Sequence, residues 1–445
     1  MKPFSIELSV KPHLIRGFFT GAGKLRQICL GLSVVCLAAG CQSMTLSPNT
    51  TSKTYPNLLV AAGATSEQVN KRIDDTFQQL FYGDAKNQAV YFAATKNAAG
   101  PLAYIMDINS NDVRSEGMSY GMMIAVQLNK KAEFDALWNW AKTYMYHTQA
   151  SHPAKGFFSW SMKPDGTPLD EMPAPDGEEY FITALYFASA RWGNGEGIYA
   201  YSNEADQLLM NVRHRETITG PTIRGVVTAA NLFDEQAHIV RFTPDIKNAA
   251  RTDASYHLPA FYEVWARMGP VSERDYWIEA ARTSRDYFIK AAHPKTGLTP
   301  DYGNFDGSAW AAPWNAGSAD FRYDAWRTAM NWSMDWVWWQ ADPRQVELSN
   351  RLQTFFLQQG MEKYESLYSL DGKKIGGGQT TGIVAMNATA SLAANHPQRL
   401  EFVKALWNKP IPAGKYRYYD GMLYMFGLLH TSGNYRLWLK PRNSN

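Results

Sequence analysis

Three acids stand where an apolar run begins. Glu116 lies in Ser115-Glu116-Gly117-Met118-Ser119-Tyr120-Gly121-Met122, Asp176 in Asp176-Gly177-Glu178-Glu179-Tyr180-Phe181, and Asp253 in Thr252-Asp253-Ala254-Ser255-Tyr256-His257. An acid in the first turn of a helix is favoured by the macrodipole, and capping alone explains many such residues. Three of them, each beside Tyr or Ser and ahead of a buried segment, suit a second use. Carboxylates brought together repel, so one is held protonated while another stays ionised. At Glu116 the helix dipole opposes protonation, so neighbouring acids and desolvation have to outweigh it. A protonated acid and an ionised base on opposite sides of one bond are what cleaving a link between sugars requires. Sugar rings also present C–H faces that stack on aromatics. Trp160, Trp310, Trp314 and Tyr323 are candidates for that stacking, while most of the 15 Trp serve the core.

Such acids need rigid elements behind them. From about residue 65 apolar residues recur at helical spacing, which predicts helices over 67–81, 117–128, 133–146, 180–192, 255–268, 273–291, 323–340, 343–364, 380–394, 399–408 and 421–430. Strand signals are sparse, and 222–228 is the best of them. Some helices are amphipathic, such as 273–291. Others, such as 117–126 and 380–394, are apolar nearly all round, and a helix apolar on every face is buried on every face. About a dozen helices of two kinds suit two concentric rings, an all-α toroid, with ordinary bundles and solenoids as alternatives. No short repeat is present, and nothing in the middle reads as an interdomain linker.

Composition narrows the function. Aromatics make up 13% of the 445 residues and charged residues 19%, which excludes disorder; three Cys exclude a disulfide scaffold. The formal charge of +3 is concentrated at the start. Residues 1–40 carry Lys2, Lys11, Arg16, Lys24 and Arg26 against Glu7, followed by an apolar run from Ile28 to Ala39 that is short for a membrane span. The ending Leu37-Ala38-Ala39-Gly40-Cys41 resembles a bacterial lipoprotein signal, which implies lipidation at Cys41. Residues 1–40 are thus expected to be a leader, 41–64 a polar tether and 65–440 the catalytic domain. Without the leader, 39 basic and 40 acidic residues remain, and nucleic-acid binding loses its support.

Other constellations stay below their ordinary explanations. His147 and His152 are close in sequence, but no third ligand has zinc-like spacing. Gly376-Gly377-Gly378 lacks the Lys-Ser/Thr of a phosphate loop and reads as a turn. Asp301, Asp306, Asp320 and Asp324 lack the compact alternation of a calcium loop. Ser-His-Asp catalysis has no nucleophile elbow to support it.

Several long motifs in order resemble glycoside hydrolase family 8. They are Asp112 to Met122, Gly156-Phe157-Phe158-Ser159-Trp160, Asp176 to Phe181, the 252–262 motif, Tyr323-Asp324-Ala325-Trp326-Arg327 and Arg417-Tyr418-Tyr419-Asp420-Gly421-Met422. The resemblance implies an (α/α)6 barrel and an inverting β-1,4-glycanase without cofactor or metal. It implies Glu116 as general acid, Asp253 as general base and Asp176 at the −1 sugar, with Tyr323 and Arg327 holding water and carboxylates. Trp160, Tyr180 and Tyr256 complete the expected substrate-binding set. The motifs at 176–181 and 255–263 look most like reducing-end xylose-releasing exo-oligoxylanases, which implies xylo-oligosaccharide substrates. Those enzymes carry a His on a loop closing the aglycone side, and this chain has none between His293 and His396. An endo-acting xylanase or glucanase, or a non-catalytic glycan-binding lipoprotein, are the alternatives. A monomer, anchored only through Cys41 on the periplasmic or outer-membrane side, is expected.

Overall fold

The computed structural model describes residues 54–440. The helices in chain order are α1 (Leu58–Ala61), α2 (Ser66–Tyr82), α3 (Ser115–Gln127), α4 (Lys131–Trp140), α5 (Pro175–Trp192), α6 (Tyr201–His214) and α7 (Pro259–Met268). They continue as α8 (Arg274–Ala291), α9 (Ala325–Trp339), α10 (Arg344–Gln359), α11 (Thr381–Ala390), α12 (Arg399–Asn408) and α13 (Arg417–Thr431). Six helices, α3, α5, α7, α9, α11 and α13, pack each on the next, and α13 returns to α3. All but one residue of α3 and fifteen of the eighteen in α5 are buried. Around this ring lie α2, α4, α6, α8, α10 and α12, each against an inner helix. Their buried residues form one stripe, as Ile73, Phe77 and Leu80 do on α2. This is the expected (α/α)6 barrel.

The predicted helices are all present. Helix α6 lies outside the segments singled out above, although Tyr201, Ala205, Leu208, Leu209 and Val212 carry its helical period. The polar tether ends earlier than expected, because α1 buries Leu58 and Leu59 in the core. The leader and Cys41 lie outside the described residues. Among the described residues, no helix is long and apolar enough to cross a membrane.

Small sheets dress the barrel. Strands β1 (Tyr91–Asn97) and β2 (Gly100–Ile105) form a hairpin, and β3 (Val113–Arg114), β4 (Ser161–Met162) and β5 (Pro168–Asp170) form a three-stranded sheet. Strands β6 (Ile218–Thr222) and β7 (Gly225–Ala229) pair across a tight turn, so the predicted strand at 222–228 is the turn and return arm of a hairpin. Arg251–Asp253 (β8) pairs with Tyr302–Asn304 (β9), setting Asp253 opposite Tyr302. Strands β3 and β8 run into inner helices, which is how the acids reach one end of the barrel.

Candidate active site

At that end one guanidinium gathers the acids. Arg327, on the first turn of α9, reaches Glu116 Oε2 at 3.1 Å, Asp176 Oδ2 at 2.7 Å and Asp324 Oδ1 at 2.9 Å. It also donates to the hydroxyls of Tyr120 and Ser255. Three inner helices thus meet at one buried cation. Glu116 and Asp176 occupy the second positions of α3 and α5, and Asp324 is the N-cap of α9. Tyr418 of α13 donates to Glu116 Oε1 at 2.8 Å, fixing the second oxygen of that carboxyl.

Three carboxyls with one buried partner cannot all be ionised cheaply. Burial pushes Glu116 up to about 7; Arg327 pulls it down, while Asp176 and Asp324 push it up. Burial raises Asp176 too, with Arg327 opposing. Desolvation therefore outweighs the helix dipole at Glu116, and a proton is available there near neutrality.

Asp253 lies behind this cluster. It is 0% exposed, makes no ion pair with Arg327, and uses Oδ1 to cap the amide of Ser255 at 2.7 Å. Its link to the guanidinium runs through the Ser255 hydroxyl. Burial, and then Asp324, raises Asp253 well above the usual carboxylate range, which suits a neutral carboxyl rather than a base. The side chain of Asp324 is 28% exposed and that of Glu116 13%. Those two acids are the most open of the cluster. The motif Tyr323-Asp324-Ala325-Trp326-Arg327 carried the missed signal, since i and i+3 share one face of a helix.

The expected aromatics divide. The main chain of Trp160 accepts from Ser115 N–H and donates to Met172 C=O, which fixes its ring beside the start of α3; Arg114 lies 5.8 Å from the ring centroid. Tyr256 faces Phe242 in a stacked pair, and Phe242 also meets Trp310 and Trp314. Trp314 is 59% exposed, and Tyr323 lies exposed at the rim. Tyr180 lies one turn below Asp176 on the same face of α5, and at 2% exposure it packs edge-on to Tyr120 and Phe261 inside the ring rather than at the mouth.

The structure also supplies the partner that His147 and His152 lacked in sequence. One donor atom from each, with one from Glu171, lie within 4.8 Å of one another. Ring geometry speaks against a metal there. The two imidazoles are parallel to within 3° at 4.1 Å, so no ion can lie in both ring planes. His152 Nδ1 accepts the Ala154 amide, which places the ring proton on the nitrogen facing Glu171.

The model of glycosyl hydrolases family 8 matches residues 104–433. A xylanase from Teredinibacter turnerae, solved as a catalytic mutant with xylohexaose, is 60% identical with a TM-score of 0.86, covering 87% of this chain and 98% of that one. The reducing-end xylose-releasing exo-oligoxylanase Rex8A of Paenibacillus barcinonensis is 42% identical over 86% of this chain and 97% of its own. A reducing end xylose-releasing exo-oligoxylanase of Bifidobacterium adolescentis is 37% identical over 88% and 100%. With its twelve-helix double ring and its acids at one mouth, the chain belongs to glycosyl hydrolases family 8.

Proposed function

We propose that this protein is an inverting glycoside hydrolase that cleaves β-1,4-xylo-oligosaccharides and releases xylose from the reducing end. The observation that carries the chemistry is the sharing of Arg327 by Glu116, Asp176 and Asp324. Glu116 gives its proton to the glycosidic oxygen as the C1–O bond breaks. Asp324 takes a proton from the water whose oxygen attacks C1 from the opposite face. Inversion needs about 6.5–9.5 Å between acid and base, so that water fits between base and sugar. Asp176 holds the −1 sugar, and Trp160 offers it a stacking face. Asp324 replaces Asp253 as the base in this reading, on exposure and on contact with Arg327.

Support for the substrate and the bond cleaved comes from the relatives' names: a xylanase and two exo-oligoxylanases. Digestion of a xylo-, cello- and chito-oligosaccharide panel, with proton NMR of the first anomer formed, tests it. Xylo-oligosaccharides are expected to be cut with inversion; retention or a preference for another sugar would sink the reading. A second reading, endo cleavage of longer xylan, is favoured by the xylohexaose-bound relative and by the absence of His between His293 and His396. Oligosaccharides reduced to alditols decide between them, since an enzyme that recognises the reducing end leaves them intact. The leader pattern supports an exported enzyme anchored by a lipid on Cys41. Palmitate labelling lost in Cys41→Ser tests the anchor.

A further inference from the structure

An Asp at a helix N-cap ordinarily spends its carboxylate on the first free amides of that helix. Asp324 does not. It occupies the N-cap of α9, yet its side chain makes no capping bond and turns to Arg327 instead. The N–H groups of Trp326 and Arg327, which such a cap would take, bond the carbonyls of Tyr323 and Asp324, and the main chain of Asp324 itself is held by a residue from another element. Asp301, at the entry to β9, accepts the N–H of Asp324 at 3.0 Å and of Ala325 at 3.3 Å through one oxygen, Oδ1. Asp301 is anchored in turn, because its own amide donates to Asp320 C=O and its side chain is buried.

We propose that Asp301 is a positioning residue for the general base: it accepts the N–H of Asp324 itself and so fixes the main chain from which that carboxylate reaches Arg327 and the substrate. The inference rests on Asp324 being the base. Without Asp301 the N–H of Asp324 would lose its acceptor in a buried site, while that of Ala325 would keep the Arg322 carbonyl at 2.8 Å. The start of α9, and the base with it, would then shift relative to water and sugar. Arg327, three residues on, would lose one of the three acids that hold it.

A misplaced base affects the chemical step more than binding. Asp301→Ala is therefore expected to lower kcat on xylotriose by on the order of 10–100-fold with KM within about twofold. Asp301→Asn retains an oxygen that accepts both amides and should recover kcat to within about threefold. Placed on Asp324→Asn, Asp301→Ala should add no further loss, because its effect runs through that carboxylate. Should Asp301→Ala fail to fold, Asp301→Ser, whose hydroxyl is too short to span both amides, takes its place with the same expectations. Full kcat in Asp301→Ala, an equal loss in Asp301→Asn, or multiplicative losses in the double variant would each overturn the proposal. If Asp324→Asn itself keeps activity, the base assignment fails; if Asp324→Asn is inactive while Asp301→Ala turns over normally, only the positioning role fails.

Discussion

Two buried arginine clusters sit on the same inner helix, and they differ in one respect. Two turns beyond Arg327, Asp335 of α9 meets Arg285 of α8 in a two-pronged pair, 2.8 Å on each side. Gln345 adds a bond to Asp335, Arg285 also reaches Glu263, and Glu263 is closed by Arg267. There two cations answer two acids. At the barrel mouth Arg327 answers three. A balanced cluster ties α7, α8 and α9 together. An unbalanced one holds a proton at Glu116 near neutrality, and its surplus acids face substrate. Charge stoichiometry, more than burial or distance, separates the structural cluster from the catalytic one.

The comparison breaks first at its catalytic half. Glu116→Gln and Asp324→Asn should each lower kcat by about 10³-fold or more, while the melting temperature holds or rises, since each relieves repulsion. A large loss of stability in either, with activity retained, would reverse the roles of the two clusters. The opposite pattern is expected at the balanced site. Asp335→Ala leaves Arg285 buried without its principal partner, at about 3–5 kcal/mol of folding free energy, read by urea unfolding, with kcat per folded molecule nearly unchanged.

pH sharpens the contrast. Glu116 acts in its protonated form, so kcat/KM should fall as pH rises through about 7. Because its folded pKa lies above the unfolded value, the stability it contributes is fully present below about pH 4.3 and is lost as pH rises toward 7. Glu116→Gln should remove that dependence. In Tyr418→Phe a donor to the Glu116 carboxylate is lost, and the alkaline limb should move upward by up to about one unit. The smallest effect belongs to the sugar platform: Trp160→Ala should raise KM by roughly tenfold with kcat little changed. A kcat loss there would place Trp160 in the acid's support instead.

Much of this was legible in the sequence. The two helix kinds, the ring they imply, and Glu116, Asp176 and Arg327 follow from period and motif. The choice between Asp253 and Asp324 did not. Both precede an inner helix, and one residue's sequence context does not say where its carboxylate turns. Asp253 caps its own turn at Ser255; Asp324 makes no capping bond, and its main chain is held by Asp301, 23 residues earlier in the chain. Tyr180 differs for a related reason, since a motif names a residue without its depth: it shares the face of Asp176 but lies one turn further into the ring. Glu171 joins His147 and His152 across a chain reversal that spacing alone does not reveal.

Helix α13 closes the ring onto α3 and brings Tyr418 to Glu116 across 302 residues. The order of synthesis therefore matters. Until the last inner helix has been made and docked, α3 lacks a neighbour on one side and the acid lacks its hydroxyl partner. A chain truncated before residue 417 would keep every carboxylate discussed above and still have no assembled acid. Catalytic competence thus waits on the docking of α13 against α3.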